Sequence, residues 1–443
     1  MSNWQKVKIG DFLFERKGRY KPNDEQIVNL PRIEKIDFGG NFHIGNKDSK
    51  TDMILIKDGD LVISGINVAK GAIGIYSGED VTATIHYSSY TFDSNKINVE
   101  YFKRFLKSSE FIELLNEQVK GGIKTEIKPK HILPLEIQLP DINTQAQIVQ
   151  HFENVEDDIA DVTKEVLKQE SLLKKLKQTI LQEAIEGKLT AKWRAKNPDI
   201  GTAKELLDQI KTEKEQLVKD KKIKASKLLA PINEDEIPFD IPPSWEWCKF
   251  GEIIYENPRN GYSPKTVDYK TEIKTLKLGA ITQGYFDTTQ IKYLDISIEK
   301  DSFLWLKKGD VLIQRSNSLE HVGMAGIYNL KDTNYIYPDL IMKCQVVQPV
   351  INYFIHKYLV SNFTREYFRN NASGAQQSMP KINQGTVTNL LVPLPPTEEQ
   401  KEIVATIEKL FTICDELESE INQNKTTVDN LMARVLKEAF EQQ

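Results

Sequence analysis

Apolar residues along 148–180 recur at alternating spacings of four and three: Ile148, Phe152, Val155, Ile159, Val162, Val166, Leu173, Leu176 and Ile180, interrupted at Gln169. The same rhythm returns at Ile403, Ile407, Leu410, Cys414, Leu417, Ile421, Val428, Leu431 and Val435, interrupted at Asn424. A period near 3.5 predicts two long helices, over 144–187 and 397–443, each roughly 64 Å long and pairing as a coiled coil. An antiparallel pair within one chain would bring Gln169 and Asn424 face to face, each amide answering the other and fixing the register. A parallel dimer of two chains would also align like with like.

Elsewhere the period shortens to that of strands. Asp60-Leu61-Val62-Ile63-Ser64-Gly65 with Gly71-Ala72-Ile73-Gly74-Ile75-Tyr76 alternates apolar runs with glycine breaks, as does Asp310-Val311-Leu312-Ile313-Gln314-Arg315 with Val322-Gly323-Met324-Ala325-Gly326-Ile327-Tyr328. These predict strands and tight turns, followed in each half by one helix, Val99 to Glu117 and Asn352 to Asn370. The fold class is therefore α+β, with two mixed bodies and two long helices.

The halves are copies. Leu176, Leu181, Glu183, Ala184 and Glu186 return as Leu431, Leu436, Glu438, Ala439 and Glu441. Pro140, Gln145, Ile148 and Val149 return as Pro395, Gln400, Ile403 and Val404. Each body opens on a tryptophan, Trp4 or Trp245, ahead of Gly10-Asp11 or Gly251-Glu252. The predicted domains are 1–143, the helix 144–187, a linker 188–243, a second body 244–396 and the helix 397–443. Ends that stay alike around bodies that drift place one framing job in both halves and the differing function in the bodies.

Composition adds exclusions. The 443 residues exceed what one core usually holds. No apolar run approaches the roughly 20 residues of a membrane helix, and the N-terminus lacks an apolar leader, so a cytoplasmic protein is expected. Cys248, Cys344 and Cys414 stand alone, without disulfide or zinc spacing, and read as core hydrophobes. His43, His131 and His356 read as structural or merely exposed. The net charge of −5 is carried by the helices: 144–187 holds 5 Lys/Arg against 9 Asp/Glu, and 397–443 holds 5 against 11. The bodies are balanced or slightly basic, and 188–229 holds 12 basic against 6 acidic residues. Its lysine-rich stretch, 204–229, reads as a solvated helix or loop.

Turns in both bodies interleave basic, amide and aromatic groups. In the first body these are Arg16, Lys17, Arg19, Tyr20 and Lys21, then Ser64, Asn67 and Lys70, then Lys120 and Lys124. The second body offers Arg259, Asn260, Tyr262 and Lys265, then Arg315, Ser316, Asn317 and His321, then Gln376, Gln377 and Lys381. Arg and Lys neutralise phosphates or fork onto guanine, Asn and Gln pair with adenine, and glycine admits close backbone approach, so these loops suit a DNA groove.

The order of parts resembles the specificity subunit of Type I restriction-modification systems, over essentially the whole chain. The segments that carry the likeness are Leu394-Pro395-Pro396-Thr397-Glu398-Glu399-Gln400, Ala184-Ile185-Glu186-Gly187-Lys188-Leu189-Thr190, and Ile237-Pro238-Phe239-Asp240-Ile241-Pro242-Pro243-Ser244-Trp245-Glu246-Trp247. The first copy departs from it at Leu139-Pro140-Asp141-Ile142-Asn143-Thr144-Gln145, which lacks the second proline and the glutamate before Gln145. The resemblance implies two target recognition domains, each reading half of a split asymmetric DNA site, with the helices as an antiparallel spacer. It implies two methyltransferase subunits as partners, which would carry S-adenosylmethionine, and restriction subunits using ATP and magnesium; this chain would hold no cofactor itself.

No catalytic constellation emerges. Pro242-Pro243-Ser244 and Pro395-Pro396-Thr397 lack the flanking amide and aromatic of a methyltransferase loop. Glu126-Ile127-Lys128 and Glu272-Ile273-Lys274 carry only a common fragment of a nuclease site, and Gly65 to Gly71 lacks the Gly-Lys-[Ser/Thr] of a phosphate loop. The expectation is a non-catalytic DNA-recognition subunit. The alternative is a coiled-coil adaptor joining two protein partners without touching DNA.

Overall fold

The structure is a computed structural model that describes residues 4–45, 49–66, 72–118, 127–226, 228–331, 334–374 and 379–440; side chains at 116, 118, 432, 433 and 436–440 lie outside the description. The chain forms two compact units, Met1–Lys168 with Ile421–Gln443, and Gln169–Glu420.

The first unit contains β1 (Gln5–Lys8), β2 (Leu13–Glu15), β3 (Arg32–Ile36), β4 (Phe42–Gly45), β5 (Met53–Ile56), β6 (Leu61–Ser64), β7 (Ile73–Ile75), β8 (Val81–Thr84), β9 (Tyr87–Phe92) and β10 (Glu136–Leu139). Two four-stranded sheets run β2-β9-β6-β7 and β4-β3-β8-β5, while β1 pairs antiparallel with β10. The helices are α1 (Val99–Phe105), α2 (Ser109–Gln118), α3 (Pro129–Ile132) and the first part of α4 (Ile142–Ile185). Phe12, Phe102, Phe105, Phe111 and Phe152 pack into one core, and Val435 of the C-terminal helix packs against it.

The second unit continues α4 and adds α5 (Ala191–Lys196), α6 (Ala203–Lys219), β11 (Glu246–Lys249), β12 (Arg259–Asn260), β13 (Ile273–Leu276), α7 (Gly279–Thr282), β14 (Ile291–Leu294), β15 (Val311–Gln314), β16 (Ala325–Ile327), β17 (Tyr335–Ile336), β18 (Ile341–Cys344), α8 (Asn352–Leu359), α9 (Asn362–Asn370), α10 (Gln384–Thr388), β19 (Leu391–Leu394) and most of α11 (Thr397–Phe440). Its sheets run β12-β18-β15-β16 and β14-β13-β17, with β11 paired antiparallel to β19. The plan of the first unit is thus repeated, a strand pair closing each body just before its long helix.

Two buried glutamines tie those helices to the bodies. Gln145 Nε2 donates to the carbonyls of Pro140 and Lys96, and its Oε1 accepts from Asn98 N at 2.7 Å. Gln400 Nε2 donates to Pro395 O, and its Oε1 accepts from Ile351 N, both at 2.8 Å. A fully satisfied buried amide is costly to replace, which explains why this residue appears in both copies.

The duplicated Gly-Asp is also structural. Gly59 and Gly309 take φ of 79° and 95°, where only glycine sits without strain. The following aspartates are buried and accept from Lys57 N and Lys307 N. Each buried carboxylate has a cation, supplied differently. Asp60 forks onto Arg16 at 2.6 Å and accepts from Ser89 Oγ. Asp310 meets Lys343 Nζ at 3.4 Å and accepts from Gln345 Nε2. Ser89 and Lys343 hold equivalent ladder positions, opposite Val62 and Leu312.

Within the second unit the long segments run antiparallel. Lys177 Nζ bonds Asp415 and Glu418 at 2.9 and 2.7 Å, whereas Thr190 and Arg194, farther along, reach back to Glu399. The seam of this unit is only partly closed: Leu173, Ile180, Ile403, Ile407 and Cys414 are buried, but Leu176 and Leu417 stay more than a third exposed. Two helices alone cover one side of each seam residue and leave outer positions in water.

Each body's single predicted helix is in fact two. Ser108 and Ser361 break them, each hydroxyl donating to the carbonyl three residues back and accepting from the N–H three residues on. A buried serine that caps the second helix this way competes with continuous helix. All three cysteines are buried, and burial pushes the Cys248 thiol up.

Candidate nucleic-acid interface

Neighbouring turns in each body are gathered by the same pair of backbone bonds. In the first, Gly65 N donates to His86 O and Gly65 O accepts from Ile127 N, both at 2.8 Å. In the second, Arg315 N donates to Leu340 O at 2.8 Å and Arg315 O accepts from Ile382 N at 3.0 Å. The equivalent position is therefore bare backbone in one body and a guanidinium in the other.

Further bonds complete the cluster in the second unit. Gly261 N and Tyr262 N donate to Ile341 O and Tyr337 O, and Ser263 Oγ joins Asp339 at 2.5 Å. A Cβ on Gly261 would lie 2.0 Å from Tyr337 O, so the approach requires glycine. Lys381 bridges to Ser316 and Ser373. The three turns singled out in this body, around 259–265, 315–321 and 381, thus share one backbone frame.

Their side chains differ in availability. Lys265 and Lys381 are exposed, Tyr262 is 53% exposed, and Arg315, Asn317 and His321 are half-buried. Asn317 is oriented: its Nδ2 donates to Gln314 Oε1 at 2.9 Å while its Oδ1 accepts from Ser318 N. Asn260, half-buried on β12, has an enclosed Oδ1 without a hydrogen-bond partner among the described residues. Arg259 bonds Glu256 and stacks over Phe303 at 5.1 Å, a half-buried arrangement that also shapes the turn. Ser316 is a correction: it is fully buried and donates to Pro380 O, so it holds the frame and presents nothing to a ligand.

In the first unit Lys17 and Arg19 are exposed, Lys21 sits 3.3 Å from Asp52, and half-buried Tyr20 exchanges backbone bonds with Met53. Arg16 is a second correction. Its fork onto buried Asp60 holds its guanidinium more firmly protonated than usual, and it serves the core. Ser64 is buried in β6 and is likewise withdrawn from the surface. Asn67, Lys70, Lys120, Lys124, Gln376 and Gln377 lie outside the described residues.

Gln169 is half-buried and Asn424 exposed; they belong to different units. Of the acid-base fragments, Glu126 is outside the description, and Lys274 lies over the Tyr335 ring at 4.7 Å. Among the described residues, no cluster of three or more His, Cys, Asp or Glu could hold a metal, and no helix is long and apolar enough to cross a membrane.

Sequence reasoning missed Gln314 and Arg365. Gln314 is buried at the end of β15, its Nε2 donating to Leu278 O and Thr282 Oγ1 at 2.7 Å. Its signal was a lone amide closing an otherwise apolar strand.

The fold and this frame can be set beside known proteins. The model for the Type I restriction modification DNA specificity domain matches residues 242–424. The chain is 31% identical to the Type I restriction enzyme EcoEI specificity subunit of Escherichia coli, over 58% of this chain and 43% of that protein. Identity to the EcoAI specificity subunit of Escherichia coli is 26%, over 91% of this chain and 77% of that one. The chain thus spans less than half of the first relative and about three quarters of the second. Among solved structures, the HsdS subunit from Thermoanaerobacter tengcongensis aligns over 99% of this chain and 97% of its own, with TM-score 0.57 and 16% identity. A chain from work on complex assembly and conformational transition of the type I R-M system gives TM-score 0.66 at the same identity and coverage. At this identity the structural likeness speaks for the fold alone. Over residues 242–424 the chain carries the Type I restriction modification DNA specificity domain pattern, and in sequence and fold it is similar to Type I specificity subunits.

Proposed function

We propose that this chain is the DNA-reading, non-catalytic subunit of a Type I restriction-modification complex, each body reading one half of a bipartite asymmetric site. The observation that carries the reading is the shared frame of the second body, which gathers Tyr262, Lys265, Arg315, Asn317, His321 and Lys381 from three separate turns. Cationic, amide and aromatic groups held together by backbone bonds are what phosphate positioning and base-edge contact need. The repeated glutamine locks fix each body to a rigid helix, which supports a spacer role for the helices.

On this reading the partners are double-stranded DNA, two methyltransferase subunits that bring S-adenosylmethionine, and restriction subunits that bring ATP and magnesium. Leu172, Leu176, Ile413 and Leu417, exposed on the helices of the second unit, support a protein partner there. A cytoplasmic location follows from DNA as the target.

Titrating the chain, assembled with its methyltransferase subunit, against duplex DNA at several salt concentrations tests the proposal. Affinity should fall steeply as salt rises, because phosphate contacts release counterions. An assembled complex with no salt-sensitive affinity for DNA would favour the adaptor.

A further inference from the structure

Beneath the loop 314–324 of the second body lies a charge that the function above does not use. Arg365, on α9, is 3% exposed. Its two terminal nitrogens donate to Val322 O and Glu320 O, each at 2.7 Å, and its Nε is enclosed without an acceptor among the described residues. Among the described residues no carboxylate pairs with it; burial, with the neighbouring cation Arg369 adding to it, lowers it to about 10. A buried guanidinium answered only by carbonyls is unusual, since buried charges are normally paired.

The two carbonyls it holds belong to the stretch that carries Asn317 and His321. The loop is closed on itself by Val322 N to Ser318 O, Met324 N to His321 O and Gly323 N to Gln314 O. Gly323, at φ of 75°, lies against the Phe368 ring of the same helix, where a Cβ would meet it at 2.4 Å. Helix α9 therefore acts as a template for this loop, with Arg365 as its polar fastening. Position 112, equivalent by the alignment of Ser108 with Ser361, is Ile112, so the first body lacks this brace.

We propose that Arg365 is a positioning residue for DNA readout by the second body: held beneath the surface, it fixes loop 314–324 in its reading shape by fastening the carbonyls of Glu320 and Val322 from below. This rests on the DNA-reading function proposed above. A loop pinned from below keeps Asn317, bonded to Gln314 and Ser318 within that loop, at a fixed place on the surface.

The test uses the full chain co-expressed with its methyltransferase subunit, as wild type, Arg365→Met and Arg365→Lys, reading the methylated motif genome-wide and the thermal stability of each purified complex. The half-site assigned to residues 245–396 should lose about tenfold in base discrimination with Arg365→Met. The other half should keep its bases, the complex should still fold, and Arg365→Lys should recover part of the loss. A folded Arg365→Met complex with an unchanged motif overturns the proposal while leaving DNA reading intact. Absence of any split motif with wild type overturns both. If Arg365→Met does not fold, Arg365→Lys decides: relaxation confined to that half supports the proposal, and an unaltered motif overturns it.

Discussion

Trp245 donates its indole Nε1–H to Glu399 Oε2 at 2.8 Å, joining the opening of the second body to the start of its long helix across 154 residues. The other carboxylate oxygen accepts from Thr190 Oγ1 and pairs with Arg194, which also bonds Gly187 O. Glu399 is fully buried, so one carboxylate closes the end of α4, the linker and α11 into a single knot. At the equivalent first-copy position Thr144 is half-buried, and its backbone N–H and hydroxyl both donate to Asp141. With threonine in place of the glutamate, this position caps its own helix start through Asp141 and has no carboxylate to offer a tryptophan.

Glu399→Ala should destabilise the second unit by about 3 kcal/mol, since it leaves the donors of Thr190 and Trp245 unanswered and Arg194 without its carboxylate. Thr144→Ala should cost less than about 1 kcal/mol. Urea unfolding of the two variants checks the contrast, and equal losses would contradict it.

Arg16 should behave as a core residue. Arg16→Ala should lower stability by about 3 kcal/mol, because Asp60 stays buried without its cation, and the double change with Asp60→Asn should recover part of that loss. The measurement is a double-mutant cycle by urea unfolding. A stable Arg16→Ala chain with weakened DNA affinity would reverse the assignment.

Lys381 should behave as a phosphate contact. Exposed on the shared frame, it can be replaced by alanine with little change in melting, while the slope of log affinity against log salt should shrink by about 1. Isothermal titration over a salt series measures this, and an unchanged slope would remove Lys381 from the interface.

His356 gives the second unit a pH dependence. Burial is the main cause lowering it from 6.5 to about 4, with Lys357 adding to the shift and backbone bonds with Gly284 and Ala325 opposing it. The folded form holds a neutral ring, so its contribution is fully present above pH 6.5. As pH falls toward 4 the unfolded chain takes up a proton that the folded chain refuses. The loss should reach roughly 3 kcal/mol at pH 4. His356→Leu should remove this component, seen as a smaller difference between urea midpoints at pH 7 and pH 4.5 than in wild type.

The architecture was legible wherever it depends on periodicity. Heptad spacing marks α4 and α11, and glycine-bounded apolar runs mark β6, β7, β15 and β16, because burial repeats with the geometry of each element. The breaks at Ser108 and Ser361 were not legible, since a serine inside an amphipathic run announces a cap only once its hydroxyl has local partners. Site residues were legible as turns and not as individuals. Arg16, Arg19 and Arg259 look alike in the sequence, yet one is paired with Asp60, one is exposed and one stacks on Phe303. The partners Asp60 and Phe303 each lie 44 residues away from their arginine, beyond the reach of local pattern.

Methylome sequencing of cells expressing this chain with a methyltransferase partner, with and without exchange of residues 245–396 for another recognition body, tests the central claim most directly. The account predicts a split N6-methyladenine motif in which the exchange alters one half and leaves the other and the spacer unchanged. A stable complex that methylates no split motif, or an exchange that leaves both halves unaltered, would contradict it.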